Sequence, residues 1–325
     1  MKKTYYIRAL NEALDEEMER DVNVFVMGED IGLGTGVFSQ TRGLYAKYGP
    51  ARVKQTPISE SAFVGLALGA ATAGLRPVVD IMFMDFLTVC MDPLINYAAK
   101  ARHMFNGQYK VPMVVMVAAG GGLGAGPQHS QCLEAWFAHI PGLKVVMPST
   151  PKDVKGLMKA AILDDNPVIY IYNKTLLAVE GEIPEDCFVP LGKAEIKREG
   201  EDVTVVAAGS KVYDALAAAD VLAAEGISVE VVDLRTISPL DKETIIHSVK
   251  KTGRMVIVHE AVKNFGIGAE ISAVVSEEAF DYLDAPIKRV AAPFAVISAA
   301  KNLERKYMPS SEDIITAVRD TMSRN

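Results

Sequence analysis

Two residues invite a chemical reading before any others, Glu60 and His129. Glu60 opens a stretch, "SESAFVGLALGAATAGL", that carries no further charge until Arg76. A carboxylate at the head of a helix is ordinarily explained by the helix dipole, with Thr56-Pro57 or Ser59 as the cap. The competing explanation is a buried carboxylate whose raised proton affinity serves proton transfer. His129 closes "AAGGGLGAGPQHSQ", a loop with five glycines between Gly120 and Gly126. An isolated histidine is well explained as structural, but a glycine loop beyond a strand is also where a histidine could hold or deliver a proton near neutral pH. Phe83 and Phe86 follow a strand-like run. They suit a core, or a platform on which a flat heterocycle stacks.

Other chemistries find less support. Neither "GEDIGLGTG" nor the second glycine loop matches a dinucleotide or P-loop fingerprint. No His/Cys set has metal-ligand spacing. Ser130 is expected to cap a helix over "QCLEAWFAHI", and His139 to sit at that helix's end before Pro141. His103, His247 and His259 read as structural. Cys90, Cys132 and Cys187 show no pairing pattern and read as small buried hydrophobes. Their odd, sparse count fits a reducing compartment, and the cytoplasm is the expected location.

Elements that can position these residues alternate along the chain. "VNVFVMG", "RPVVDIMF", "VPMVVMVAAGGG", "GLKVVMPST" and "PVIYIY" are continuous apolar runs, each read as a strand. Helices separate them, including one predicted over residues 85–105 and one opening at "TPKDVKG". Such a pattern implies a parallel sheet covered on both faces, with ligands beyond the carboxyl ends of the strands. Residues 61–75 read as a buried helix. Ala62, Gly65, Gly69 and Ala73 make one face nearly flat, so that another backbone could come close. Ile7, Leu10, Leu14 and Met18 place an apolar stripe on an N-terminal helix, which lacks the apolar core of a secretion signal. The texture turns polar and proline-bearing over residues 180–202, and a second α/β unit follows. The expected domains are 1–185 and 186–325.

The chain has 325 residues, 50% hydrophobic and 23% charged, with a formal net charge of -7. Two globular α/β domains fit that length. Acids and bases are interspersed, so no nucleic-acid or membrane partner is expected.

Taken together, Glu60 in "TPISESAFVGLALGAA", Phe86 in "RPVVDIMFMDFLTVCMDPLINYAAK", "QHSQCLEAWFAHIPGLKVVMPSTPKDVKGLMKAAILDDNPVI", "VVDLRTISPLD" and "TGRMVIVHEA" have a specific resemblance. The chain resembles the β subunit of the thiamine-diphosphate-dependent E1 component of 2-oxo acid dehydrogenase complexes over nearly its whole length. "IMFMDFLTVCMD" and "ARHMFNG" look closest to the acetoin type, while "GEDIG" and "GPARVKQTPISE" also fit pyruvate and branched-chain relatives. The resemblance implies a pyrimidine-binding α/β domain followed by a transketolase-type C-terminal α/β domain. It implies cleavage of acetoin, or decarboxylation of pyruvate or a branched-chain 2-oxo acid, with acyl transfer to lipoamide on an E2 lipoyl acyltransferase. Glu60 falls on the glutamate that bonds the aminopyrimidine N1′ and promotes loss of the thiazolium C2 proton. Phe86 falls on the ring-stacking aromatic, and Ile58 on the residue whose carbonyl meets the pyrimidine amino group. His129 falls on the active-site histidine that assists the substrate adduct or acyl transfer, and Glu29 on an acidic residue linking paired active sites. Met113, Ala161, Ile162, Asp164 and Asn166 match positions that hold a potassium ion in some relatives.

The superfamily's diphosphate and Mg²⁺ anchor begins Gly-Asp-Gly, and no such triplet occurs here. The resemblance therefore implies half of a site, completed by an E1 α subunit in an α2β2 assembly. The stretch "AAPFAVISAAKNLERKYMPS" departs from the usual proline and acidic pattern of relatives. A non-catalytic scaffold paralogue would be expected to lose Glu60 or His129, and this chain keeps both. A self-contained nucleotide-binding oxidoreductase would be expected to carry the dinucleotide fingerprint.

Overall fold

Apolar strands alternate with helices in two separate units of a computed structural model that describes residues 1–32 and 34–323. The first unit comprises Met1–Ala119 and Trp136–Leu191; the second comprises Gly120–Ala135 and the chain from Gly192 onward. Residues 120–135, which carry the glycine loop and His129, thus group with the second unit although they lie within the first half of the sequence.

In the first unit, β1 (Lys2–Tyr5) leads into α1 (Tyr6–Arg20) and β2 (Val24–Gly28). Next come α2 (Leu44–Arg52), β3 (Val53–Gln55), α3 (Glu60–Thr72) and β4 (Arg76–Phe83). They are followed by α4 (Ala99–Met104), β5 (Val114–Ala119), the short α5 (Glu134–Ala138) in which the chain re-enters this unit, and β6 (Lys144–Val146). The unit closes with α6 (Pro151–Leu163), β7 (Val168–Asn173) and β8 (Glu180–Ile183), which pairs antiparallel with β1. Strands lie in the order β6-β7-β5-β4-β2-β3, all parallel. Every residue of β5 and β7 is buried, as a sheet covered on both faces requires.

Helix α1 buries Leu10, Leu14 and Met18 of the stripe read from the sequence, leaves Ile7 half-buried, and adds Tyr6, whose hydroxyl donates to the Pro148 carbonyl at 3.1 Å. It packs along α6, and truncating one of its buried leucines to alanine would cost about 2–5 kcal/mol. Lys155 of α6, buried, reaches Glu16 at 2.6 Å and Glu12 at 3.6 Å on α1. Thr150 starts α6 by accepting from the Asp153 N–H at 3.1 Å, and Pro151 takes the first helical position, where its missing N–H costs nothing.

Three local expectations are corrected. The helix over residues 85–105 is broken into a 3₁₀ turn (Met84–Thr88), a π-helical stretch (Asp92–Ala98) and α4. Pro93 has no N–H to continue a ladder from the preceding turn, so the helix restarts there. Ser130 caps no helix: the only helical residues nearby are those of α5, which begins at Glu134. Helix α3 is buried on one side only, through Phe63, Val64, Ala67 and Ala71 against β4 and the π-helical stretch. Its flat side is open, and a Cβ added at Gly65 or Gly69 would meet nothing within 4 Å.

The second unit has β9 (Glu195–Arg198), β10 (Val203–Ala207), α7 (Lys211–Ala223), β11 (Val229–Asp233), β12 (Thr236–Ser238) and α8 (Lys242–Thr252). It continues with β13 (Met255–Val262), α9 (Ile267–Glu278), β14 (Lys288–Ala292), α10 (Lys301–Tyr307) and α11 (Ser311–Met322). Its sheet runs β14-β13-β10-β11-β9, parallel except for β9 at the edge. Val203, Val205, Val231 and Val256 pack with α7 and with Ile314, Ile315 and Val318 of α11. A capping box of Ser310 and Asp313 fixes the start of α11. His259 on β13 is 2% exposed, and among the described residues neither ring nitrogen has a hydrogen-bond partner. Burial first, and Arg289 second, push its pKa down to about 4, opposed by the Ala261 backbone.

Candidate active site

Glu60 is the first residue of α3 and is buried. Ser59 is its N-cap by position, but the Ser59 side chain makes no capping bond. The carboxylate is therefore placed by the backbone rather than supplied as half of a capping pair. Glu29, just past the carboxyl end of β2, lies close enough for the two charges to interact. Burial, then the charges of Glu60, Asp30 and Asp80, raise the Glu29 carboxyl above its ordinary value, while the Ser59 N–H pulls the other way. Oε1 of Glu29 is buried without a hydrogen-bond partner among the described residues. Ile58, in the same turn, is 83% exposed, so its side chain contributes little to packing.

Cys90 also lies close enough to feel the Glu60 charge. Its thiol points at the Leu87 carbonyl (3.5 Å) and the Phe86 carbonyl (3.8 Å), and so braces the turn that carries Phe86. Burial, with the Glu60 charge second, pushes the Cys90 thiol up to about 12, which keeps it protonated. Phe86 meets Phe83 edge-on at 5.8 Å, Phe83 meets Phe38 at 5.6 Å, and Phe38 meets Tyr172 at 6.1 Å. The Lys174 ammonium lies 5.4 Å from the centre of the Phe83 ring. Phe86 is half-buried at the rim of this cluster.

A bulge aims these rings. Asp80, fully buried on β4, accepts from the Met82 N–H at 2.9 Å and from the Gln40 side-chain amide. Met82 takes a φ of +62°, and the register of β4 against β5 shifts between Asp80 and Phe83. Such a bulge re-aims the residues after it. Burial pushes the Asp80 carboxyl up to about 6 against those two hydrogen bonds. Gly28 lies across the strand pair from Asp80, where an added Cβ would come within 2.5 Å of the Asp80 carbonyl oxygen. The sequence reading passes over Gln40 and Asp80 and takes Cys90 only as a small buried hydrophobe. The signals were a lone aspartate inside "RPVVDIMF" and a cysteine one turn after Phe86.

Of the remaining sequence candidates, His129 is half-buried on the glycine loop of the second unit, its N–H donating to the Gly126 carbonyl at 3.3 Å. Met113, Ala161, Ile162, Asp164 and Asn166 gather near the end of α6. Arg76 donates to the carbonyls of Ile162 (2.8 Å) and Asp164 (3.2 Å). Lys144 pairs with the Asp164 carboxylate, Arg102 donates to the Asn166 side chain at 2.9 Å, and the Met113 carbonyl accepts from Val168 at 3.0 Å. Arg76 thus clamps the end of α6 through its guanidinium. Among the described residues no group of three or more His, Cys, Asp or Glu could hold a metal, and no helix is long and apolar enough to cross a membrane.

Glu60 thus stands beside Glu29 with its buried Oε1, and Phe86 lies half-buried in the same unit. Residues 2–180 match the transketolase pyrimidine-binding domain and residues 192–314 the transketolase C-terminal domain. Among solved structures, a split-gene transketolase described as an inactive β4 tetramer superposes with a TM-score of 0.82 at 25% identity, covering 97% of both chains. The chain is 49% identical to the β subunit of acetoin:2,6-dichlorophenolindophenol oxidoreductase of Cupriavidus necator, over 97% of this chain and 96% of that one. A pyruvate dehydrogenase E1 β subunit of Oryza sativa is 48% identical over 96% of this chain and 84% of its own length. The 2-oxoisovalerate dehydrogenase β subunit of Bacillus subtilis is 46% identical over 97% of both. The chain belongs to the transketolase-like family of acetoin and 2-oxo acid dehydrogenase E1 β subunits.

Proposed function

We propose that this chain is the catalytic β subunit of a thiamine-diphosphate-dependent E1 dehydrogenase acting on acetoin or pyruvate. The observation that carries the reading is Glu60 at the head of α3, beside Glu29 with its buried, unpartnered Oε1. Thiamine diphosphate, when bound, supplies the nucleophilic carbon that attacks the substrate carbonyl and takes up the electron pair of the broken bond. Glu60 bonds the aminopyrimidine nitrogen and exchanges a proton with it, at the head of a helix that carries no other charge. Phe86 supports the ring face and the Ile58 carbonyl receives the ring amino group. Glu29, its carboxyl raised above the ordinary value by burial and then by the neighbouring charges, is the acidic residue beside Glu60 that links the paired active sites. His129 acts after cofactor binding, on the substrate adduct or on acyl transfer to the lipoyl group of E2.

In this reading the domains are 1–185 and 186–325. An α subunit supplies the diphosphate and Mg²⁺ anchor that this sequence lacks, the active assembly is α2β2, and it works in the cytoplasm. The chain's similarity to the Bacillus subtilis 2-oxoisovalerate dehydrogenase subunit supports a branched-chain 2-oxo acid as the second substrate reading. Calorimetry with thiamine diphosphate and Mg²⁺ tests the proposal. Tight binding is expected only when the α partner is added; tight binding to this chain alone would overturn the half-site reading. Failure to bind even with the partner would leave a non-catalytic scaffold role.

A further inference from the structure

The glycine loop before His129 is held by carboxylates, although its sequence reads as a mobile tract. Gly122 and Gly124 each donate their N–H to Glu304, one to each carboxylate oxygen, both at 2.9 Å. Gly121 donates to Glu260 Oε1 at 2.5 Å, while Glu260 Oε2 accepts from the Ser210 hydroxyl at 3.0 Å. Glu304 is 3% exposed on α10 and Glu260 is 5% exposed on β13, so both carboxylates are buried, while the Gly122 end of the clamp lies at the surface. Charge-assisted bonds of this kind are about twice as strong as neutral ones. Packing reinforces them. A Cβ at Gly121 would fall within 2.9 Å of Ile297 and Met308, and one at Gly124 3.2 Å from the Ala299 carbonyl oxygen. Only bare glycine backbone lies flat enough against residues 297–308 for its amides to reach the carboxylate. The glycines therefore serve close approach to Glu304, and the loop leaves this clamp five residues before His129.

We propose that Glu304 is a positioning residue, whose carboxylate fixes the Gly122 and Gly124 amides and so sets where His129 stands. The inference rests on His129 acting in the reaction proposed above. Both oxygens are needed, so Glu304→Gln, with one acceptor left and an amide N–H₂ in place of the other, frees one loop N–H. Glu304→Asp keeps the charge but withdraws it by one methylene. The control is Glu312→Gln, an exposed carboxylate on α11.

Amide exchange of residues 120–128 in the full chain is expected to quicken about tenfold in both Glu304 variants and not in the control. The rate of His129 modification by diethyl pyrocarbonate, read by mass spectrometry, is expected to change at least threefold. In the assembled enzyme, kcat is expected to fall about tenfold, with KM and thiamine diphosphate affinity unchanged. Unchanged exchange would overturn the clamp. Faster exchange with unaltered His129 modification would overturn the positioning role. An inactive wild-type assembly would count against the proposed function alone, because exchange and modification are read without turnover.

Discussion

His259 gives the sharpest quantitative test of the physical account of this chain. Its ring is sealed beneath the start of α9, where a Cβ at Gly266 would be 2.5 Å from Cε1 and one at Gly268 3.0 Å from Nε2. Neither nitrogen has a partner to receive a second proton, and Arg289 opposes the charge, so the pKa is pushed down to about 4 from 6.5. A base with a depressed folded pKa binds more protons when unfolded, so stability falls as pH drops. The loss begins near the unfolded pKa and is complete below the folded one, a window from about pH 6.5 to about pH 4. Between pH 7 and pH 5 these values give a loss of about 2 kcal/mol from this one side chain. Asp80, raised to about 6, and Glu134, raised to about 7, both chiefly by burial, act in the opposite direction. Each favours the folded state at low pH and loses that stabilisation as pH rises through its folded value. Wild-type stability alone therefore mixes opposing slopes. The proper quantity is the difference between wild type and His259→Asn, from urea unfolding followed by circular dichroism at pH 7, 6 and 5. The wild type is expected to lose about 2 kcal/mol relative to the variant over that range. A flat difference, or one of opposite sign, would refute the sealed-ring argument.

Three further outcomes follow from the first unit. Glu60→Gln is expected to lower turnover of the assembled enzyme about 100-fold or more while sedimentation shows the same assembly, since it removes a proton carrier rather than a packing group; normal turnover would sink the assignment. Phe86→Ala is expected to weaken thiamine diphosphate binding about tenfold by calorimetry; unchanged affinity would mean that the ring serves only the aromatic cluster. Gly28→Ala forces a Cβ to 2.5 Å from the Asp80 carbonyl oxygen and is expected to cost about 1–3 kcal/mol, seen as a lowered melting temperature. An unchanged melt would show that β2 and β4 are looser than drawn.

The strands were legible because burial on both faces leaves uninterrupted apolar runs, as in "VPMVVMVAA" and "PVIYIY". Glu60 was legible for the opposite reason, as a charge with no charged neighbours in its helix. The breaks between residues 85 and 105 were less so, because Pro93 suits the first turn of a helix as well as its interruption. The bulge at Met82 leaves a trace only in Asp80, whose meaning depends on Gln40, forty residues earlier and brought beside it by the sheet. Local patterns report what each residue does to its own turn, and they are silent on pairings made by topology.

That silence bears most on the glycine loop. Five glycines in seven residues read as freedom of movement, yet two of the amides they leave accessible end on one carboxylate more than 170 residues away, at separations of 182 and 180. Freedom in the unfolded chain and fixity in the folded one have the same cause, the missing Cβ. The backbone loses more entropy on ordering there than at any other residue type, and the charged acceptors, with packing against residues 297–308, offset that loss. A carboxylate such as Glu304 is therefore the kind of residue to seek wherever a glycine tract must hold a reactive side chain still.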